Sequence, residues 1–386
     1  MSSRGGWAAG PTLGAIAALV VAPAGATGLA EAWTRSLGGA RAWYEYKAAA
    51  VSPRGEIWVG FGARDLAAGT AAARLWKLGP DGATLGEYAL EPPASGSKRA
   101  EHAEIKAIVP LPDGGINVLA AFAGDRPWLV RLDADGKQVA AAQVIGRGRD
   151  VQVARLIQTA DRNYMLLGHD GLDALLVKLD PAGKVLWEKR DDRGKMDFYL
   201  DGLAGPDGSL TVVGNSGTYD WNFQGESVVW VALLDKDGNR QAERLFPGRD
   251  GRLARGRDGS YALVYDRASG ESKQIELRRL GARLEDLGPP VEVTGAAQID
   301  GRFAVWPAPT GTGFIVTGAR ESKVYLGRAD VDAAAVQPLV EEPLPAGVSL
   351  DALSTRDGLL LASSIVRKFP DQPAEQVLRV VRFVNR

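Results

Sequence analysis

The feature that most constrains the fold is a phrase that recurs along the chain. Its clearest copy is residues 174–189, A-L-L-V-K-L-D-P-A-G-K-V-L-W-E-K, an apolar run, a turn and a second β-rich run. Further copies lie at residues 75–78, 129–132 and 231–234, with weaker ones at 277–280 and 325–328 and a last one at 378–383. Recurrence at a regular spacing indicates a repeat architecture.

Each repeat has a second landmark, a turn of the Asp-Gly kind between two β-rich runs, which is a strong hairpin signal. Seven such turns occur, at residues 52–55, 112–115, 160–163, 206–208, 257–259, 310–313 and 356–358. Their spacing, roughly 50 residues, is typical of propeller blades. We therefore predict an all-β fold, a seven-bladed β-propeller over residues 27–386.

The two ends of the chain complement each other. The last copy of the phrase runs into the C-terminus, so its partner strand is missing. Residues 29–35, which contain Trp33, match that missing strand in type and position. We predict that the N-terminal strand closes the last blade, because closure leaves no open sheet edge.

The full repeat combines D-G-G, an apolar run ending in Gly, and h-h-K-L-D-x-x-G-x-x-x-W, and its best copy is residues 179–187. It resembles bacterial exported propeller repeats of the PQQ-like and quinoprotein-like kind. The resemblance covers residues 29–386 and implies architecture only. The T-G pair typical of quinoprotein repeats is absent from this copy, so we expect no cofactor.

The first 26 residues have the three parts of a secretory signal peptide. Arg4 is followed by an apolar run over residues 12–22 and by the small-residue site at 24–26. The run of about 11 residues is shorter than the ~20 needed to span a bilayer. We predict cleavage after Ala26 and a periplasmic or secreted protein with no membrane span after signal cleavage.

The composition excludes several classes of function. With 46 basic and 47 acidic residues, the chain lacks the basic surface of a nucleic-acid binder, so we expect no nucleic acid. It has no Cys and only His102 and His169, which argues against disulfides, thiolate nucleophiles and transition-metal sites. His169 has the sequence context of a turn residue.

Two further phrases could form either calcium-binding loops or hairpin turns. In D-x-D-G at residues 133–136 and 235–238, alternating carboxylates could wrap a hard cation. Asp-Gly is also what a tight hairpin turn needs, and the further ligands of a complete calcium loop are missing. We predict turns here and no metal.

The innermost strand of a blade precedes its Asp-Gly turn and lines the central channel. Counting seven residues back from each turn glycine or its equivalent gives Ala48, Ala107, Arg155, Asp201, Arg252, Val305 and Asp351. Arg155 and Arg252 could bind a small anion or a carboxylate in the channel. The alternative is a set of ion pairs that join adjacent blades.

Glu45 and Glu104 lie three residues earlier in this register, each two positions before a Lys. With Asp197, Tyr199 and Asp300 in the predicted strand-entry loops, they could form an acidic rim. Paired carboxylates can perform general acid/base catalysis, as in glycoside hydrolysis. The weak catalytic candidates are Glu45, Glu104 and Asp201, and the alternative is that these are solvated surface charges.

The connection over residues 215–227 is long and contains Tyr219, Trp221 and Phe223. Exposed aromatic side chains are common at surfaces that bind sugars or proteins. The three residues are therefore our binding candidates, and the alternative is that the loop covers a blade edge.

The prediction for function is an exported non-catalytic propeller that binds or scaffolds a protein or glycan partner in the cell envelope. The alternative is a propeller hydrolase or lyase that acts on a carbohydrate through the channel-rim carboxylates. A third interpretation is a redox accessory protein with a quinone-type cofactor.

Overall fold

The computed structural model describes most of the chain after the predicted signal peptide. The described residues are 29–38, 42–65, 70–90, 103–122, 127–139, 143–145, 151–194, 196–217, 227–269, 272–293, 303–308, 313–320, 323–330, 336–343, 350–355, 358–369 and 372–385. All regular structure in these ranges is β-strand, which confirms the all-β prediction. None of the described residues forms a helix that could cross a membrane.

The strands follow one another in sets of four after a single N-terminal strand. The first strand is β1 (Leu29–Leu37). The first two sets are β2 (Ala42–Val51), β3 (Ile57–Asp65), β4 (Thr70–Leu78) and β5 (Thr84–Ala89), then β6 (Ala103–Pro110), β7 (Ile116–Phe122), β8 (Trp128–Leu132) and β9 (Gln143–Val144).

The middle of the chain supplies three sets. The first is β10 (Val151–Gln158), β11 (Tyr164–Asp170), β12 (Asp173–Leu179) and β13 (Val185–Asp191). The second is β14 (Met196–Ala204), β15 (Leu210–Gly217), β16 (Ser227–Leu234) and β17 (Arg240–Pro247). The third is β18 (Arg249–Arg255), β19 (Tyr261–Ser269), β20 (Ser272–Leu280) and β21 (Val291–Glu292).

The last strands are β22 (Ala304–Pro307), β23 (Phe314–Arg320), β24 (Lys323–Ala329) and β25 (Gln337–Pro343), followed by β26 (Leu350–Thr355), β27 (Gly358–Phe369) and β28 (Gln372–Asn385). Five sets form separate four-stranded sheets among the described residues, each with its strands in chain order. The remaining strands form an eight-stranded sheet in the order β26-β27-β28-β2-β3-β4-β5, with β1 also on β28. Within it, β28 and β2 are joined by one parallel residue pair, Trp43 and Gln376.

The N-terminal strand pairs with the C-terminal strand, as the sequence predicted. β1 runs antiparallel to β28 from the Leu29–Asn385 pair to the Leu37–Leu378 pair, with one register shift. The chain ends are therefore fastened to each other by a ladder of backbone hydrogen bonds.

The sheets are arranged around a common centre. Each first strand contacts the first strand of the next set, in the order β2, β6, β10, β14, β18, β22 and β26, and β26 contacts β2. The apolar core lies mainly between neighbouring sheets. One buried cluster, for example, combines Met165 and Leu176 with Val212 and Trp230. Another lies between the two halves of the eight-stranded sheet and combines Val59 and Trp76 with Leu360 and Leu378. This radial stack of sheets is a propeller.

The middle strands of the sheets are the most buried. Every residue of β15 is buried, whereas the outer strand β13 is mostly exposed or partly exposed. A strand covered by sheets on both faces needs apolar residues on both sides. This explains why the sequence has continuous apolar runs here rather than a strict alternation.

The predicted hairpin turns that lie within the described residues are present, and Asp side chains stabilise the turns of the D-x-D-G phrases. Asp133 Oδ1 accepts hydrogen bonds from the backbone N–H groups of Asp135 (3.0 Å) and Lys137 (2.9 Å). Asp235 does the same for Asp237 and Asn239 at 2.9 and 2.8 Å. These contacts confirm the turn interpretation of both D-x-D-G phrases. The turns at residues 310–313 and 356–358 lie wholly or largely outside the described residues.

An aromatic side chain of one repeat rests on a turn glycine of the following repeat. Trp33 lies against Gly82, whose φ is +80°, and a Cβ built there would be 2.8 Å from the indole ring. Trp187 lies against Gly238 in the same way, at 2.7 Å. The Trp of the repeated phrase therefore packs on the following repeat, and the turn glycine is needed for its φ and for this close approach.

The cation of the phrase makes a second link between repeats. Buried Lys77 donates to the carbonyl of Ala134 in the next outer turn at 2.7 Å. Lys178 donates to Lys236 O at 3.3 Å, and Arg382 donates to Pro80 O at 2.5 Å. The repeat thus encodes contacts between blades as well as the blades themselves.

Removing the Trp33 ring tests this linkage at the chain closure. Trp33 Nε1 donates to Pro80 O at 3.1 Å, and its ring covers Gly82. Trp33→Ala should lower the free energy of unfolding by about 1–2 kcal/mol, from lost packing and one hydrogen bond. Trp33→Phe, which keeps a ring without the N–H, should lose less. Urea unfolding curves measure both, and an unchanged midpoint for Trp33→Ala would contradict the account.

Candidate functional site

A cavity of about 370 Å³ lies where the first strands converge. Strands β2, β6, β10, β14, β18, β22 and β26 all contribute to its wall. Its volume falls within the roughly 300–1,000 Å³ typical of small-molecule sites. This cavity is the candidate functional site, and it is called the central cavity below.

The central cavity contains most of the positions that the sequence register predicted. Its wall includes Ala48, Ala107, Arg155, Asp201, Arg252 and Val305. The seventh position, Asp351, lies in β26, and its side chain is outside the described residues. The register therefore predicted the lining correctly at six positions, while ligand binding by these residues stays a prediction.

Five of the wall strands carry a β-bulge at the same level. The pairing of β2, β6, β10 and β14 with their neighbours skips one residue, namely Lys47, Lys106, Ala154 and Leu200. In β18 the shift lies between Arg249 and Arg252. A bulge changes the direction of the side chains around it and is common beside functional sites. The strict two-residue period of a strand pattern does not reveal these bulges.

Asp201 is a buried clamp between three wall strands. Only 2% of its surface is exposed. Its Oδ1 accepts from Arg155 Nε at 2.7 Å and from the backbone N–H of Gly202 at 2.9 Å. Its Oδ2 accepts from the backbone N–H of Leu253 at 3.1 Å. Asp201 therefore ties β10 and β18 to β14, and fixes the positions of the strands that carry Arg155 and Arg252.

Both arginines face the central cavity. The Arg155 side chain is 39% exposed although it pairs with Asp201. Arg252 is partly buried, and its Nη1 donates to the carbonyl of Gly251 at 2.8 Å. The predicted ion pair between adjacent sheets thus exists at Arg155, and the same guanidinium also forms part of the cavity wall.

Two lysines hold the glutamates at the side of the cavity formed by β2 and β6. Lys47 Nζ contacts Glu45 Oε1 at 2.7 Å and Glu104 Oε1 at 2.9 Å. Lys106 binds the other oxygen of Glu104. The predicted acidic rim is wrong for these two glutamates, because each is paired with a lysine from the same bulged strands.

The lysines keep Glu104 ionised. Partial burial alone would raise the pKa of Glu104, but the hydrogen bonds and charges of Lys106 and Lys47 outweigh it. The pKa falls from its ordinary 4.5 to about 2. A general acid needs a raised pKa, as the proton donors of glycosidases have. Glu104 has the opposite environment.

The wall of the central cavity is asymmetric. Among the described side chains that line it, four cations (Lys47, Lys106, Arg155 and Arg252) stand against two carboxylates (Glu104 and Asp201). Glu45, which pairs with Lys47 beside the wall, is a third carboxylate and leaves an excess of one positive charge. All seven lie on the strands with bulges. The described part of the remaining wall is apolar. It comes from β22, the residue before β22, and β26, and it contains Phe303, Ala304, Val305, Trp306 and Leu353.

Several other predicted positions differ from expectation. Asp197 and Tyr199 do not lie in entry loops; both are in β14 and are buried, with 0% and 5% exposed surface. The Tyr199 ring packs edge-on against Trp230 at 4.9 Å. His169 lies in β11 rather than in a turn, with its ring edge-on against Phe198 at 4.5 Å. Packing between adjacent sheets explains both differences, because Phe198 is on β14 and the Tyr199 ring shares a buried cluster with Met165 of β11. Asp300 and His102 lie outside the described residues.

The aromatic candidates Tyr219, Trp221 and Phe223 also lie outside the described residues. The structure does describe the base of their connection. Asn215 Nδ2 donates to Ser227 Oγ at 2.7 Å, and Asn215 Oδ1 accepts from the backbone N–H of Asp250 at 3.1 Å. These contacts join the two flanking strands to each other and to β18.

Comparison with known proteins supports the fold. No family model matches the chain, and no curated protein matches its sequence. Many solved structures are similar. A catalytically inactive virginiamycin B lyase from Staphylococcus aureus, solved with quinupristin, is 13% identical with a TM-score of 0.55, covering 91% of this chain and 99% of its own.

Two further similar structures have different functions. The polysaccharide lyase Uly1 is 10% identical with a TM-score of 0.55, covering 87% of this chain and 89% of its own. Semaphorin 2a from Drosophila is 8% identical with a TM-score of 0.55, covering 89% and 75%. The chain is an all-β propeller. At these identities the likeness shows the fold alone, because one fold hosts many functions.

The environment of Glu104 predicts a pH-dependent stability. Because the pKa of Glu104 is lowered on folding, its contribution is complete above its ordinary value of 4.5 and is lost as the pH falls towards about 2. The free energy of unfolding of Glu104→Gln should therefore be below that of the wild-type protein near neutral pH. The difference should shrink between about pH 5 and about pH 2.

Denaturant titrations at several pH values measure this difference. Glu45→Gln is the matched control, because its half-exposed carboxylate contacts Lys47 alone among the ion pairs described and should contribute little. A difference for Glu104→Gln that is the same at both ends of the pH range would contradict the assigned environment.

Proposed function

We propose that the chain is a seven-bladed propeller of the cell envelope that binds a protein or glycan partner without catalysing a reaction. Two observations support seven blades. The halves of the eight-stranded sheet are joined by one residue pair, and apolar side chains of β3 and β4 pack against β27 and β28 as neighbouring blades do. The signal-peptide pattern of residues 1–26 supports export.

The observation that carries the proposal is the cationic side of the central cavity. Four cations against three carboxylates, with Glu45 counted through its contact with Lys47, favour a ligand with a negative charge. The exposed part of Arg155 and the neighbouring Arg252 supply guanidinium groups, which bind carboxylate, sulfate or phosphate oxygens by paired hydrogen bonds. The partner is therefore an anionic one.

The state of the carboxylates favours binding over catalysis. Glu104 is held ionised by two lysines, so it does not suit the role of proton donor. Asp201 is buried, and its oxygens accept hydrogen bonds from three donors. A virginiamycin B lyase and a polysaccharide lyase are among the similar structures, and the alternative to test is a hydrolase or lyase that acts on a carbohydrate.

Binding of defined polyanions tests the proposal. Immobilised polygalacturonate and dextran sulfate should retain the mature protein at low ionic strength, whereas neutral dextran should not. Retention should weaken as salt rises and should be lost in an Arg155→Gln/Arg252→Gln variant. Arg255→Gln is the matched control, because Arg255 lies in the same strand as Arg252 but lines a different pocket. The proposal would be overturned if the double variant were retained as strongly as the wild-type protein. It would also be overturned if neither polyanion retained the wild-type protein.

The same polymers test the catalytic alternative. After incubation with the protein, a non-catalytic binder leaves the chain length and the number of reducing ends unchanged. If the wild-type protein produces new polymer chain ends and the Arg155→Gln/Arg252→Gln variant does not, the protein is a hydrolase or lyase and the binding proposal is wrong.

A further inference from the structure

The central cavity has two chemically different sides. The charged residues lie on β2, β6, β10, β14 and β18. The opposing described surface, from Phe303 and Trp306 to Leu353, is apolar. A simple inorganic anion would use only the charged side, so the apolar side indicates a ligand with a nonpolar face as well as a charge.

The charged side also contains an ion pair of zero net charge that can form hydrogen bonds with a ligand. The Glu104 and Lys106 side chains are 33% and 31% exposed, and they form an acceptor and a donor next to each other in the wall. A ligand that covered them with hydrocarbon would remove their contact with water without replacing it, which costs free energy. Hydroxyl groups replace that water, because each hydroxyl can both donate and accept.

The arginines lie across β14 from each other. Arg155 is on β10 and Arg252 on β18, and Asp201 between them binds both strands. This clamp positions the Arg155 side chain and the backbone of β18 beside Arg252 before any ligand enters. Preorganised donors lower the entropic cost of binding a carboxylate.

We propose that the ligand of the central cavity is a hexuronic acid, the end group or a free unit of an acidic glycan. Its carboxylate contacts Arg155 and Arg252, its hydroxyls contact Glu104 and Lys106, and the C–H face of its ring lies against Trp306. This inference rests on the proposed binding function and names the ligand class. It also selects a glycan rather than a protein as the partner.

Other anions match the wall less well. Phosphate and sulfate have no nonpolar face for Phe303 and Trp306. An aromatic acid such as benzoate has that face but lacks the hydroxyls for Glu104 and Lys106. A neutral hexose has the face and the hydroxyls but no charge for the arginines.

Calorimetric titration with small ligands tests the inference directly. D-glucuronate or D-galacturonate should bind to the wild-type protein at least about tenfold more tightly than D-glucose, the glucuronate methyl ester, benzoate or inorganic phosphate. Trp306→Ala should weaken binding of the preferred uronate by about tenfold or more, and Trp306→Phe, which keeps an aromatic face, by much less. Arg252→Gln should remove the preference for the acid over its methyl ester, and Arg255→Gln should not.

The outcomes separate this inference from the broader proposal. If polyanions bind through Arg155 and Arg252 but neither uronate binds better than phosphate or benzoate, the inference is wrong and the anionic site stands. If the uronate affinity is unchanged in Trp306→Ala, the ring does not lie on this wall and the inference is also wrong. If the Trp306→Ala protein does not fold, the uronate affinities of the Trp306→Phe and Arg252→Gln variants test the inference.

Discussion

The contact on which the rest of the structure depends is the one between an outer strand and the next outer turn. Trp33 on Gly82 and Trp187 on Gly238 use the same geometry, and Lys77 reaches the turn carbonyl of Ala134. These contacts hold neighbouring repeats in a fixed relation. Since the apolar clusters lie between neighbouring repeats, the fold depends on that relation being the same from repeat to repeat.

The central cavity is a consequence of this packing. Once the sheets are fixed radially, their first strands meet at the centre, where small shifts in pairing decide which side chains face inward. The bulges at Lys47 and Lys106 place two cations beside Glu104, and the clamp at Asp201 places Arg155. β22 and β26, whose described residue pairs show no register shift, supply the described apolar part of the wall. The repeat therefore builds the frame, and departures from it build the site.

The parts of this structure that the sequence predicted are those encoded by local chemistry. A capped turn such as Asp133 to Gly136 depends on a few adjacent residues, and the pairing of β1 with β28 followed from one unmatched phrase. The positions that line the cavity were predicted correctly for the same reason, since they were counted back from these turns. The lysine pairing of Glu104, the burial of Asp197 and the clamp at Asp201 depend on contacts between residues distant in the chain and on bulges. No periodicity of residue types encodes those.

The central claim is that the cationic side of the cavity binds the charged group of a ligand. A crystal structure of the mature protein with D-glucuronate at saturating concentration tests it most directly. The account predicts sugar density in the central cavity, with the carboxylate at Arg155 and Arg252 and the ring against Trp306. Density for the sugar only elsewhere on the protein, or an empty cavity at saturation, would contradict it.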